Sequence, residues 1–581
     1  MHAFRPIQVG TMHLDHRLVV PPHMGGGTLL DSAALFERHC AYWLARVKGG
    51  VQWVGGEPAT RSIRHPLFAE WMGEYVDRLH AVSAYATVQL EVPGGSTAAG
   101  GRGIELIRDC SESAVLAAQA GADAIELRSS DGRYLAGIVG AIRAMIDRPI
   151  TIGVRLGLGG MVDDGRQLAE CQALIAGLST DAMIDYFALD VGGDLAAGSH
   201  VPAGMFDEAV RAELCGQAKQ ATHLPVVYVG RVLDVATAER VLIDGHADLV
   251  AITRAAIADP DIVARTRRGE TELVRPCVGT DDCADRRVVD GVGLVCAANP
   301  HAGHEQIVRL PPVQRSRRVL VIGGGPAGTE FAALAKQRGH RVTLWERDSM
   351  LGGQLAVAAK ARLNAPFAEW IRWQQTRLQR LAVTVELGHE ATLDDIEIVD
   401  PDVVVVATGA VPRTIDVPGI DRPFVSQAID VLNERVEVGH SVVVVADGDG
   451  AAPLAVADHL IGLGHRVTVI HRTAGPSADA DRYTIGASLA RLDIDGMRFE
   501  PMARLVAVEP GRVHLAHSFS GRRWTIDGVD SVVLACGAIS NNALYLPLRK
   551  VRSNVHLLGD AYEPGRMASA TGQAWELAQS V

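Results

Sequence analysis

Apolar positions in the first half of the chain come in eight short runs: LVVPPH from Leu18, VQWVGG from Val51, ATVQLEV from Ala86, DAIELRS from Asp123, PITIGVRL from Pro149, YFALDVGG from Tyr186, PVVYVGR from Pro225 and DLVAITR from Asp248. Each run is bounded by a stretch with helical spacing of its apolar residues, so the first half reads as strands alternating with helices. Such strands pair in parallel through right-handed crossovers, and eight of these units predict a closed (β/α)8 TIM barrel over residues 1–270. The active face of a barrel lies at its strand C-termini. Here those ends are polar: His23, Glu57, Gln89, Glu91, Arg128, Arg155, Asp190, Asp194, Arg231 and Arg254. In the second half a strand–turn–helix–strand pattern begins at Arg318 and recurs from Val442.

Composition narrows the class. The chain has 581 residues, 48% hydrophobic and 21% charged, which makes it a multidomain globular protein and excludes disorder. Its 56 basic and 68 acidic residues sum to −12, with no Lys/Arg block, so nothing points to nucleic acid or anionic lipid. Sixty-one glycines beside 5% aromatics suit an α/β protein with tight turns and close backbone approaches. Eight cysteines are too few for a disulfide framework. The first twenty residues lack the apolar core of a signal peptide, and no apolar run is long enough to span a bilayer, so a cytoplasmic protein is expected.

Two of the predicted strand ends carry chemistry in a recognisable place. YVGR and AITR close the seventh and eighth strands, where barrels commonly bind phosphate, so Gly230, Arg231, Thr253 and Arg254 are read as a phosphate cradle. The bland alternative is that the arginines pair with acids on the barrel rim. A cysteine-rich hinge over residues 271–310 follows, with Cys277, Cys283 and Cys296 as candidate metal ligands. The spacing C-x2-C-x2-C-x12-C would require a cysteine where Thr280 stands. Three thiolates hold a three-iron cluster, or a four-iron cluster if Asp281, Asp282 or water completes it; otherwise the three are ordinary buried thiols.

RVLVIGGGPAG, from Arg318 to Gly328, is an apolar strand entering G-x-G-x-x-G at the start of a helix. Gly323 permits the tight turn, Gly325 lets backbone approach a pyrophosphate, and Gly328 allows helix–strand packing. Glu346, eighteen residues beyond Gly328 and followed by Arg347, is placed for the ribose hydroxyls. LGGQL, with Gly353 and Gln354, and LLGDA, with Asp560 facing a ribityl or pyrophosphate, complete a Rossmann-like domain over 311–412 and 540–581 that binds FAD or ADP. The repeat VVVVADGDGAAPLAVADHL has the βαβ pattern without the fingerprint, because Pro453 and Leu454 stand where a third glycine should allow close packing. It gives a second, eroded nucleotide-binding-like domain over 413–539.

VVPPHMGGG, PVVYVGR with ITRAAIADPDI, RPCVG, IGGGPAG and LGGQL, in this order, resemble the trimethylamine dehydrogenase and 2,4-dienoyl-CoA reductase branch of the old yellow enzyme superfamily nearly end to end. The resemblance implies FMN on the barrel, FAD or ADP in the first nucleotide domain and an iron–sulfur cluster at the hinge. It further implies that His23 and Met24 border the isoalloxazine, Gln89 meets its pyrimidine edge, and Arg155 supports N1 and O2 as negative charge develops. Met24 stands where the trimethylamine enzyme carries a flavin-linking cysteine, so any FMN is expected to be non-covalent. The family's fourth-strand signature is replaced by ELRSSDGRYL: Arg128 and Asp131 take the substrate-binding positions, or form an ion pair of their own, ahead of Tyr134. Asp194, after DVGG, aligns approximately with an amine-binding aspartate. The loops after the third and fourth strands are short, and two lids of the family are missing.

Three functions stand at this point. In the first, a neutral amine gives a hydride to FMN, Asp194 or Asp131 orients the nitrogen, and electrons leave through the hinge to an electron-transferring flavoprotein. The second is a non-catalytic or electron-transfer subunit that joins a related chain in a homo- or hetero-oligomer. The third is an NAD(P)H-dependent enoate or enoyl reductase, against which the missing fingerprint at Val442 counts.

Overall fold

A computed structural model describes residues 1–23, 32–58, 63, 65–92, 102–129, 132, 134–158, 166–180, 183–190, 204–284, 293–307, 310–448, 450–476 and 482–581, without the side chains at 57, 58, 102, 166, 167, 482 and 483. The chain divides into two compact units. One comprises Met1–Pro202, Phe206–Cys277 and Arg286–Ile307; the other comprises Ala203–Met205, Val278–Asp285 and Val308–Val581.

In the first unit the eight apolar runs form eight parallel strands: β1 (Leu18–Val19), β2 (Trp53–Pro58), β3 (Tyr85–Val92), β4 (Ala124–Ser129), β5 (Thr151–Gly157), β6 (Tyr186–Asp190), β7 (Val226–Val229) and β8 (Leu249–Ala251). Each is followed by a helix: α1 (Ala33–Lys48), α2 (Phe68–His80), α3 (Arg102–Gln119), α4 (Leu135–Met145), α5 (Arg166–Ser179), α6 (Ala212–Lys219), α7 (Val235–Ile243) and α8 (Thr253–Ala258). Strands β2 to β8 pair in sequence order, β8 pairs with β1, and a parallel bridge from Val20 to Val54 closes the ring. The strands are largely apolar because both faces are covered, with Gln89, Glu126, Arg155 and Asp190 as buried polar exceptions. Helix starts are set locally: Ser32 accepts a hydrogen bond from the Leu35 N–H at α1, and Asp234 accepts one from the Thr237 N–H at α7. An N-terminal hairpin, Ile7–Val9 with Met12–Leu14, buries Val9, Met12 and Leu14 against Val19, Trp53, Tyr186 and Leu249. Each such side chain contributes about 1.5–3 kcal/mol by leaving water, which seals one end of the barrel and leaves the other for chemistry.

The second unit holds two parallel sheets. The first contains β9 (Arg318–Ile322), β10 (Arg341–Glu346), β11 (Thr384–Leu387), β12 (Val403–Val406) and a last strand, Val555–Leu557, in the order β11-β10-β9-β12 and then Val555–Leu557. The chain between β12 and that last strand builds the second sheet, in which β13 (Ser441–Ala446) lies between β14 (Arg466–His471) and Ser531–Leu534. A three-stranded antiparallel sheet, Ala503–Glu509, Gly511–His517 and Arg523–Val529, shares its core. Helix α9 (Pro326–Gln337) packs on the first sheet, α10 (Ala452–Gly462) follows β13, and α11 (Met567–Ser580) ends the chain.

Candidate functional site

Inside the barrel, polar side chains of β3, β4, β5 and β6 are drawn into a buried network. Gln89 on β3 lies opposite Glu126 on β4 and donates from Nε2 to its Oε1 at 2.6 Å. The Tyr186 hydroxyl donates to the other Glu126 oxygen at 3.1 Å. Arg155 on β5 gives Nε and Nη2 to Asp190 Oδ2, at 3.1 and 2.8 Å, and holds Nη1 3.7 Å from Glu126. Burial works against the Arg155 charge, but the two carboxylates more than offset it, and the guanidinium pKa lies above its ordinary value. Burial, reinforced by Glu126, likewise raises Tyr186 well above the usual phenol range. The fork assigned to a flavin edge is therefore already engaged by acids.

Other candidate residues are also engaged. His23, three residues beyond Val20, donates from Nδ1 to the Pro21 carbonyl at 2.9 Å when its Nε2 accepts from the Tyr42 hydroxyl at 2.6 Å, a pairing that selects one tautomer. Arg46 lies 3.4 Å over the Tyr42 ring and pairs with Glu305 at 2.8 Å, so the support beneath His23 is itself a buried ion pair. Arg128 reaches Glu91 at 3.2 Å. Tyr134 has φ +68° and lies just ahead of α4, its ring against Gly103. Met24, Asp131 and Asp194 lie outside the described residues, so the Arg128–Asp131 pairing does too. Sequence reasoning passed over Glu126 and Tyr42. An acid between Ile125 and Leu127, in the middle of the run DAIELRS, is the signal that would have found Glu126; Tyr42 stands inside an ordinary helix and gives none.

Gly230 and Arg231 follow β7, and Thr253 and Arg254 open α8 directly after β8. Because β7 and β8 pair through Leu249 and Val227, the two arginines end neighbouring strands. Arg231 has φ +45°, a left-handed conformation that costs about 1–3 kcal/mol and persists where surroundings enforce it. Its Nε donates to the Phe206 carbonyl at 2.8 Å, and its own carbonyl accepts the Ala209 N–H at 2.9 Å. Two cations on adjacent strand ends are a donor set suited to the phosphate of FMN.

The first nucleotide turn fits an adenine dinucleotide closely. A Cβ on Gly323 would come within 2.2 Å of the Ala407 carbonyl oxygen, and one on Gly328 within 2.0 Å of the Gly323 oxygen. A Cβ on Gly325 would meet nothing within 4 Å, so open space lies at the start of α9, where backbone N–H groups face an approaching pyrophosphate. Glu346 accepts the Gly324 N–H at 2.6 Å and the Asp348 N–H at 2.8 Å, which fixes its carboxylate at the end of β10 beside the glycine turn. Arg347 is exposed, its Nε 3.9 Å from Asp348. Gly353, at φ +51°, precedes Gln354, whose Nε2 donates to Asp560 Oδ2 at 3.1 Å. The Gly565 N–H reaches the other Asp560 oxygen at 3.1 Å, and burial raises the Asp560 carboxyl above its ordinary value.

The second turn is built differently. Asp447 directly follows β13, as Gly323 follows β9, and pairs with Arg413 at 2.8 Å and Arg472 at 3.6 Å. The helix begins at Ala452, so this turn spans 447–451 where the first spans 323–325. A Cβ on Gly448 would come no closer than 3.8 Å to its nearest neighbour, and one on Gly450 would meet nothing within 4 Å, so neither glycine is held by close packing as Gly323 and Gly328 are.

The expected iron–sulfur centre is not supported by the side chains present. Thr280, at the missing ligand position, donates its hydroxyl to Asp282 Oδ2 at 2.7 Å, and Asp282 pairs with Arg566 at 3.2 Å. Burial, then the neighbouring Cys277, pushes the Cys296 thiol up to about 12. Among the described residues no three His, Cys, Asp or Glu side chains are grouped to hold a metal ion. Among them, too, no helix is long and apolar enough to cross a membrane.

Comparison with known proteins agrees with this division. Residues 132–272 match the NADH:flavin oxidoreductase / NADH oxidase family, and residues 317–557 match the pyridine nucleotide-disulphide oxidoreductase family. An NADH oxidase of Thermoanaerobacter brockii is 26% identical over 657 aligned residues, covering 100% of this chain and 99% of its own. A probable N-methylproline demethylase of Rhizobium meliloti (strain 1021) is 26% identical, covering 95% and 91%. A 6-hydroxypseudooxynicotine amine oxidase from Pseudomonas geniculata N1 shares the fold at a TM-score of 0.89 and 22% identity, covering 100% of this chain and 98% of its own. The alignment with the NADH oxidase is longer than this chain, so that relative carries residues this one lacks.

Proposed function

We propose that this chain, a flavin-dependent oxidoreductase of the old yellow enzyme superfamily, oxidises a secondary or tertiary amine at the barrel mouth and passes the electrons to an electron-transferring flavoprotein. The observation that carries this reading is the second nucleotide turn. Pyrophosphate binding needs open N–H groups and a positive local potential, whereas this turn places a carboxylate, Asp447, at its first position. Reducing equivalents then enter from an organic substrate rather than from nicotinamide, as the demethylase relative's name also suggests.

FMN, when bound, supplies the hydride acceptor; the protein's own groups bind, orient and exclude. Arg231 and Arg254 hold the phosphate, Gln89 presents an amide to the pyrimidine edge, and Arg155 keeps a cation beside it, moderated by Asp190 and Glu126. Asp131 and Asp194 are the carboxylates assigned to the amine nitrogen. They would favour the orientation that turns the adjacent C–H toward the acceptor, and water then hydrolyses the iminium product.

A second reading, a non-catalytic or electron-transfer subunit paired with a related chain, is favoured by the same Arg155 network, because a guanidinium shared between two carboxylates stabilises developing flavin charge less. Anaerobic mixing of the purified chain with N-methylproline, dimethylamine or NADH separates the readings. Bleaching of the flavin by an amine and not by NADH is the expected result. Equal or faster bleaching by NADH would overturn it. A full flavin complement that none of the three reduces would transfer the case to the second reading.

A further inference from the structure

We propose that the segment Val278–Asp285, the hinge portion of the second unit, assembles no iron–sulfur cluster and instead works as an ion-pair latch: Asp282 fixes Arg566, and through it the Asp560–Gly565 loop that faces a bound adenine nucleotide. The proposal rests on the reading of Asp560 as a nucleotide-facing residue and is independent of the amine chemistry.

A cluster ligand at position 280 would have to be a soft thiolate. Thr280 is a hydroxyl, and it is occupied as a donor to Asp282. Asp282 as substitute ligand would have to abandon both Thr280 and Arg566, while its carboxylate is only 2% exposed and so has no water to replace them. Breaking one side of a buried pair leaves an uncompensated charge, which is the costly direction. The partners therefore hold each other, and the set Thr280–Asp282–Arg566, joined by one hydrogen bond and one ion pair, uses the positions that a four-ligand site would need.

Arg566 is also well placed to act at a distance. It is the residue immediately before α11, one position beyond Gly565, whose N–H binds the Asp560 carboxylate. Asp560 in turn accepts from Gln354, next to Gly353, whose Cβ would lie 3.2 Å from the Gly325 Cα. A continuous set of contacts thus runs from the hinge segment to the pyrophosphate turn, entirely within the second unit. Asp282 and Arg566 are positioning residues in this scheme; neither is placed against the nucleotide.

The test uses the full-length chain. Iron and acid-labile sulfide are measured on protein prepared without oxygen, and ADP is titrated into nucleotide-depleted wild type, Asp282→Asn, Asp560→Asn and the double variant. The expected results are no stoichiometric iron or sulfide, and a rise of about tenfold in the ADP dissociation constant for Asp282→Asn, the scale seen when an outer partner of a ligand-holding group is lost. The double variant should bind no more weakly than Asp560→Asn alone, because Asp282 acts through that loop. Asp282→Glu, which keeps the charge, should restore most of the affinity and also covers the case in which Asp282→Asn does not fold. A full cluster in the wild type, an unchanged ADP affinity in Asp282→Asn, or simple additivity in the double variant would each overturn the latch.

Discussion

Two βαβ units in the same half of the molecule share a scaffold and differ in sign at one turn. In each, an apolar strand enters a glycine-containing turn and a helix, and the next strand pairs in parallel with the first. In the first βαβ unit the turn is three residues long, and the glycines of the turn and of the helix it opens are required: Gly323 and Gly328 sit against carbonyl oxygens, and Gly325 keeps open the space before α9. In the second the turn is two residues longer, begins with Asp447 and has that acid tied to Arg413 and Arg472. The fold survives the exchange because the strands and their packing do not depend on the turn. The open space before the helix and the glycines packed on carbonyl oxygens are features of the first turn, which is why function has to be argued from the turn and not from the fold.

This contrast can be broken or sharpened by substitution. The largest effect is expected from Gly328→Ala, whose new methyl group would meet the Gly323 carbonyl oxygen. Overpacking of this kind should cost about 2–3 kcal/mol and release the adenine nucleotide, read by thermal unfolding and by nucleotide retained after gel filtration. A variant of unchanged stability would show that the helix can move away and that the close packing is not essential. Next comes Gly325→Ala, where the Cβ enters open space. Stability should stay within about 0.5 kcal/mol of wild type, while the ADP dissociation constant rises about tenfold, or about 1.4 kcal/mol. Gly450→Ala, equally unobstructed in the second turn, should change neither quantity, and a comparable loss of ADP there would erase the distinction between the turns. A small effect is expected from Asp447→Gly. Its arginine partners are partly exposed, so the lost pairs should cost about 1 kcal/mol or less. NADH binding should remain undetectable by fluorescence titration, because the turn is still too long. Micromolar NADH binding in that variant would mean that the acid alone had closed the site.

How much of this was legible in the sequence follows from the range of the interactions. The barrel strands were readable because apolar runs and helical spacing are local properties, and each predicted run overlaps the strand that forms, although Trp53–Pro58, Tyr85–Val92 and Thr151–Gly157 each extend one or two residues beyond their runs. The GGGPAG turn was readable because its requirements fall within eleven consecutive residues. The engagement of Arg155 was not, since Glu126 and Asp190 come from two other strands and meet it only after closure of the barrel. Nor was the pairing of Asp282 with Arg566, which lies hundreds of positions away in a turn with no motif of its own. Glu91, Arg128, Arg155 and Asp190, flagged as strand-end chemistry, do lie on barrel strands, and their partners were supplied by topology.

The pairing of β1 with β8 has a consequence for the time course of synthesis. Leu18 and Val19 find their partners only at Val250 and Ala251, so a ribosome making about 5–20 residues per second must work for tens of seconds before the ring can shut. Until then β1, two residues long, has no hydrogen-bonding neighbour on that side, and the growing sheet ends in an unpaired edge of the kind that invites association with other chains. Contacts so distant in sequence form slowly for the same entropic reason. Yield of this protein should therefore depend on chaperone supply and translation rate more than its finished stability would suggest.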